Sequence, residues 1–234
     1  MAITVDQLIA AEAFTMAAGG TKTYSHSNAT APTAVIVVTR TASSGARPSG
    51  ITYGGTALTL SEAHQFDAGT SPYVRYVYCD VWTSLAPASG VQDVVVSAAA
   101  GSIILISVTS FIGTVSSLAV TTEQGYGSGP SIPATHTSSQ TVWADNLFSL
   151  VDMQTAVSFV SGGTEQSSFF RDFGGGYRGE VRTAYQTETD SGDLVYSSSN
   201  FLMGPYPVNY GAALVTLTAN PPARKKLPFK VAAA

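Results

Sequence analysis

From Thr21 onward, short β-branched and aromatic runs alternate with turns built from Gly, Pro and Ser, and a chain punctuated this way is expected to fold as antiparallel sheet. Ala34-Val35-Ile36-Val37-Val38-Thr39 is one such run. Ile51-Thr52-Tyr53 and Thr56-Ala57-Leu58-Thr59-Leu60 flank Gly54-Gly55, the pattern of a hairpin whose turn needs positive φ. Residues 73–82 form the longest expected strand. Both of its faces carry apolar residues, as in a strand covered on two sides. Pro87, Ser89 and Gly90 make the next turn, followed by strands over 93–97 and 103–111. The second half is looser. Strands are expected at 141–144, 147–151, 167–173, 181–185, 194–196 and 212–217, with a Gly/Ser/Pro loop over 125–133. This spacing predicts an all-β chain, a single antiparallel β-sandwich over 21–220. No break in composition divides it, and no clear internal repeat is evident. Residues 1–20 are expected to be an N-terminal arm or a short helix, since Thr4 and Gln7 have capping-box spacing. The apolar stripe of Val5, Leu8 and Ile9 is weak.

Charge is sparse. Only 11% of the 234 residues are charged, which suits a protein partly covered by neighbours. Hydrophobic residues at 44% and aromatics at 10% are enough to fill a core. Cys79 is the one cysteine, so no internal disulfide is available, and its neighbours Val77 and Val81 suggest a buried thiol. The longest apolar run, 103–106, is too short to span a membrane. No basic stretch followed by an apolar one opens the chain, so we expect synthesis in a cytoplasm without ordinary secretion.

The ends differ from the body. Pro221-Pro222 stops the last expected strand, and Arg224, Lys225, Lys226 and Lys230 follow, interleaved with Leu227 and Phe229. All 15 acidic residues precede them, so an acidic body carries a basic tail over 221–234. We read that tail as an anchor for an acidic partner. Nucleic acid is not an expected partner, because the body is acidic and four basic residues in the tail are thin support for phosphate binding.

Residues able to carry chemistry do not assemble into a motif. His26, His64 and His136 are far apart and lack zinc-ligand spacing. Gly125-Tyr126-Gly127-Ser128-Gly129 has the wrong order for a serine nucleophile elbow, and Asp172-Phe173-Gly174 stands without the other kinase motifs. Glu188, Asp190 and Asp193 surround Ser191-Gly192 in what reads as a solvated acidic turn rather than a calcium loop. No enzyme activity, metal or cofactor is expected. Tyr126, Tyr177, Tyr206 and Tyr210 lie in Gly/Pro-rich stretches and are candidate surface contacts, for protein or for glycan.

Ile51-Thr52-Tyr53-Gly54-Gly55-Thr56-Ala57-Leu58-Thr59 resembles the "VTYGG-x-ALT" hairpin of a β-sandwich module found in tailed-phage structural proteins and some bacterial surface proteins. Trp82, Pro87-Ala88-Ser89-Gly90, Val94-Val95-Val96 and the segment from Thr109 to Val115 continue the likeness. The resemblance is firm from about Thr23 to Val115 and carries over no catalytic residue. It implies a jelly-roll-like sandwich and a place on a virion or cell surface. The expected role is a capsid decoration or cement protein that contacts the major capsid protein or other virion proteins. A tail or fibre component and a glycan-binding adhesion module are the alternatives. Homo-oligomerisation, as a trimer, is expected from the sheet edges that so few charges would leave unprotected.

Overall fold

The computed structural model describes residues 3–17, 19–28, 31–42, 47–67, 76–98, 102–127, 131–132, 140–151, 157–174, 177–187, 190, 192–198 and 208–219. Every regular element among them is a strand, and every pairing is antiparallel. The first nine are β1 (Thr4–Met16), β2 (Thr21–Ser27), β3 (Ala34–Ala42), β4 (Pro48–Tyr53), β5 (Thr56–Ala57), β6 (Thr59–Asp67), β7 (Tyr76–Leu85), β8 (Val91–Ala98) and β9 (Ser102–Ile112). The other eight are β10 (Val115–Gly127), β11 (Ser131–Ile132), β12 (Gln140–Val151), β13 (Val157–Ser161), β14 (Thr164–Gly174), β15 (Tyr177–Gln186), β16 (Leu194–Ser198) and β17 (Val208–Ala219).

The all-β antiparallel expectation is met, but the strands make four sheets rather than the two of one sandwich. Sheets of order β1-β9-β3-β7-β6 and β2-β8-β4-β5 come wholly from residues before Gly113. Sheets of order β10-β17-β12-β15-β14 and β11-β16-β13 come wholly from residues after Thr114. In the first half, β1 pairs with β9, β2 with β8 and β3 with β7. Such nested pairing is a long hairpin rolled over on itself, the jelly-roll arrangement.

Three apolar layers fill the spaces between the sheets. Val35, Val37, Trp82, Ile104 and Ile106 of the first large sheet meet Tyr24, Ile51, Tyr53, Val94 and Val96 of its small partner. On the opposite face, Ile36, Val38, Val81 and Phe111 meet Trp143, Val181, Val215 and Leu217 of the second large sheet. That sheet's far face places Val142, Ala144, Ala184 and Leu214 against Ile132, Leu194 and Tyr196. Both large sheets are therefore covered on both faces. This is why β3 reads as a continuous apolar run and why β7 has no polar face.

The N-terminal segment corrects one expectation. Thr4–Met16 is a strand on the edge of the first large sheet, not a helix. Two register shifts, between Val5 and Gln7 and between Ile9 and Glu12, each add one residue to β1. Each extra residue flips the alternation, so Val5 and Leu8 face one apolar layer while Ile9, Phe14 and Met16 face the other. The period of two that marks a strand is hidden in the sequence by these bulges. The Gly54-Gly55 hairpin is as expected: Tyr53 pairs with Thr56, and the glycines have φ of 55° and 79°, as a type I′ turn requires.

Candidate functional site

The end of the first sandwich near Gly113 holds the most connected polar cluster among the described residues. Tyr53 at the end of β4 is buried with its hydroxyl 2.8 Å from His26 Nδ1 of β2. Asn28 donates through Nδ2 to the same hydroxyl and to the Ala88 carbonyl, 3.0 Å away. An amide nitrogen has only hydrogens to offer, so the phenol oxygen accepts from Asn28. Its own hydrogen is available to His26 Nδ1 whenever that nitrogen is unprotonated. Burial lowers the pKa of His26 below 6.5, against the opposing influence of the Gln7 backbone and the Asp6 charge. Burial likewise raises that of Tyr53, only partly offset by the Asn28 hydrogen bond. Asp6 accepts a hydrogen bond from Ser110 Oγ at 3.2 Å. The cluster thus joins β2 and β4 of the small sheet to the loop carrying Ala88, with Asp6 and Ser110 close by on the large sheet.

A second cluster stands on the same sandwich. Arg47 clasps the buried carboxylate of Asp80 through Nε at 3.1 and 3.2 Å and through a further amino contact, and its guanidinium lies 4.5 Å from the Tyr78 ring centroid. The hydrogen bond that Arg47 donates to Asp80 raises the pKa of the guanidinium further, which keeps Arg47 charged. In the second sandwich Arg182 bridges Glu165 and the buried Glu180, 2.6 Å from the latter. Gln186, fully buried on β15, donates to the carbonyls of Gly162 and Gly192 and ties two turns together.

Each of these groups is engaged with a neighbouring strand or turn. His26 is held by Tyr53 rather than by a serine or cysteine nucleophile, and the one thiol, Cys79, is buried in the layer between the large sheets. No group of three or more His, Cys, Asp or Glu among the described residues is placed to hold a metal ion. Asp190 accepts from the Thr187 backbone at 2.7 Å and from its hydroxyl at 3.0 Å, which makes a local turn. Glu188 lies outside the described residues.

No protein-family model, curated protein or solved structure matches the chain.

The sequence-derived surface candidates fare unevenly. Tyr126, Tyr177 and Tyr210 lie on strands rather than in loops, at the end of the second large sheet remote from Gly113. Tyr210 pairs with Gly125 and with Phe148, and Tyr126 with Asn209, so the two tyrosines occupy adjacent rows of neighbouring strands. Tyr177 pairs with Val151 and Gly174. Their glycine neighbours suggested loops, but the ladder continues through Gly125 and Gly127 because an extended backbone needs no side chain. Tyr206 and the tail residues Arg224, Lys225, Lys226, Leu227, Phe229 and Lys230 lie outside the described residues. Sequence reasoning missed the Tyr53–His26–Asn28 and Arg47–Asp80 clusters, because residues 25 to 33 positions apart meet only through the fold. The one available signal was Asp80, a carboxylate set among apolar neighbours.

Proposed function

We propose that this chain is a structural subunit of a phage virion, a decoration or cement protein on the head surface. The observation that carries the reading is how the described polar clusters are used: each ties strands or turns of the body together, as in a scaffold made to stand and pack. The likeness of the Ile51–Thr59 hairpin to phage structural modules supplies the context, and the basic, apolar-interleaved tail supplies an attachment point. Arg224, Lys225, Lys226 and Lys230 orient the tail on an acidic capsid surface, while Leu227 and Phe229 give most of the affinity. Burying each apolar side chain stabilises the contact by about 1.5–3 kcal/mol, against a few tenths for an exposed charge. A homotrimer is the proposed assembly, and the virion its location.

The test is binding to undecorated particles by the full chain, by a chain ending at residue 223 and by Leu227→Ala/Phe229→Ala. Both variants should remain folded and lose occupancy. Full occupancy by the truncated chain would remove the anchor. Absence of the chain from purified virions would end the head-protein reading, and its presence in only a few copies would favour a tail or fibre place.

The directly opposed register positions of Tyr210 and Phe148 favour glycan binding as a second reading, since neighbouring aromatics suit sugar stacking. Selective binding on a glycan array, abolished by Tyr210→Ala/Phe148→Ala, would support it.

A further inference from the structure

The strand orders of the two halves coincide. Numbering the second half from its own start, and matching β10 to β1, β11 to β2, β12 to β3, β13 to β4, β14 to β6, β15 to β7, β16 to β8 and β17 to β9, converts β1-β9-β3-β7-β6 into β10-β17-β12-β15-β14. The same matching converts β2-β8-β4 into β11-β16-β13, leaving only β5 without a counterpart. One shared strand order could arise by convergence of two sandwiches, but the agreement extends to single residues. Thr59 pairs with Thr83 and Leu60 with Trp82, then the register shifts before Glu62; Thr164 pairs with Tyr185 and Glu165 with Ala184, then the register shifts before Ser167. Gly54-Gly55 follows β4 as Gly162-Gly163 follows β13. The Gly54 amide bonds the Asp93 carbonyl at 2.9 Å, and Gly162 lies so close to Asp193 that an added Cβ would fall on its carbonyl oxygen. Asp93-Val94-Val95-Val96 and Asp193-Leu194-Val195-Tyr196 occupy corresponding places, with Ser89-Gly90 two residues before the first and Ser191-Gly192 directly before the second, the glycines at φ of 81° and 84°.

The halves also meet reciprocally. β1 lies against β14, and β10 lies against β6. Exchanging the halves turns one of these contacts into the other, which is the signature of a two-fold, isologous interface. At its centre Phe111 and Trp143 stand edge to face, 5.7 Å apart. Thr141 Oγ1 donates to the Ile3 carbonyl at 3.3 Å.

We propose that the chain is a tandem duplication of one jelly-roll unit, fused as its own two-fold dimer, and that the inner face of each large sheet is a recognition surface whose partner is the other copy of the unit. The covalent link between the halves is then dispensable. Thr4 pairs with Ile112 and Val115 with Ala219, and only Gly113 and Thr114 separate the two pairs. Both ends of each unit therefore lie close to one point, and a linker of about eight flexible residues spans the gap between Ala219 and the N-terminus.

The test is a permuted chain running from 114 to 220, through that linker, to 1 to 113, compared with the native order cut at 220. Trp82→Phe in both makes Trp143 the sole tryptophan, a reporter placed at the interface between the halves. The permuted chain should be soluble and monodisperse, with the same buried Trp143 emission and a melting midpoint within a few degrees of the control. A second variant keeps the native order and carries a protease site between Gly113 and Thr114. After cleavage its halves should elute together and keep that emission. Exposure of Trp143 or loss of cooperative melting in the permuted chain, or separation of the cleaved halves, would overturn the proposal.

Discussion

The two sandwiches share a strand order yet are filled differently. Between the first pair of sheets the buried side chains include Phe14, Tyr24, Tyr53 and Trp82, and Ala98 is the one alanine among those described. Between the second pair, Ala144, Ala184 and Ala212 take three of the eight described buried positions, with Tyr196 as the buried aromatic. The first sandwich adds β5 and seats Leu58 beside it, and it closes its end near Gly113 with the Tyr53–His26–Asn28 chain. At the corresponding end the second relies on Gln186 reaching two glycine carbonyls. Topology is thus indifferent to how the layer is filled, provided that the layer is dry. With small side chains, however, the turns come close enough that backbone meets backbone. A flexible side chain, that of Gln92, faces the turn at Gly54, whereas backbone carbonyls face it at Gly162 and Gly163.

Trp143 belongs to neither outer layer but to the seam between halves. Trp143→Ala should be the most damaging of the changes considered, costing about 3–5 kcal/mol, because it opens a void where both sandwiches meet. Chemical denaturation should show both halves destabilised together. A loss confined to the second half would break the account of a shared seam.

Gly54 and Gly162 are corresponding residues with φ of 55° and 98°, so alanine is strained at both. A methyl at Gly54 would meet the Gln92 amide, the far end of a flexible side chain, whereas at Gly162 it would fall 1.9 Å from the Asp193 carbonyl oxygen. Gly54→Ala should therefore cost roughly 1–2 kcal/mol. Gly162→Ala should exceed it, at about 3 kcal/mol or more, since backbone must also move. Thermal melts of the pair measure the difference, and equal losses would mean that the second sandwich is no more tightly closed than the first.

The smallest effect separates the halves by pH. The described residues of the second sandwich include no histidine. The pKa of His26 is lowered in the fold, so as pH falls through 6.5 the unfolded chain takes up a proton that the folded chain resists. Stability from this source is full above that pH, declines below it, and stops declining once the folded ring is also protonated. Protonation leaves both ring nitrogens as donors, so His26 Nδ1 and Asn28 Nδ2 both direct hydrogens at the Tyr53 hydroxyl. His26→Gln should flatten this part of the stability profile between pH 7 and 5, read by denaturant midpoints. An unchanged slope would remove His26 as the cause.

What could be read in the sequence was whatever depends on local chemistry. The Gly54-Gly55 turn was legible because only glycine enters a type I′ turn freely, and β3 because a doubly covered strand needs apolar residues in succession. Cys79 was legible from its neighbours. Thr4–Met16 was not, since two bulges erase its alternation and leave an alanine-rich stretch that imitates a helix. The repeat was not legible either. Its halves keep corresponding glycines and a bulge, but a layer with three alanines has lost the hydrophobic pattern of its partner, and three added residues at 56–58 shift the spacing after the shared Gly-Gly. His26 and Tyr53 stand on β2 and β4 of one sheet with β8 between them, while Arg47 just before β4 meets Asp80 on β7 of the facing sheet, and no spacing rule connects either pair.

Native-state hydrogen exchange tests the central claim, that two like sandwiches stack through their large sheets, most directly. Stacking covers β3, β9, β12 and β17 on both faces, so their central amides should open only on global unfolding. The account predicts one slowest class shared by all four strands, with outer-sheet strands such as β2 and β13 exchanging faster. Exchange of β12 and β17 at outer-sheet rates, while β3 and β9 stay protected, would contradict it.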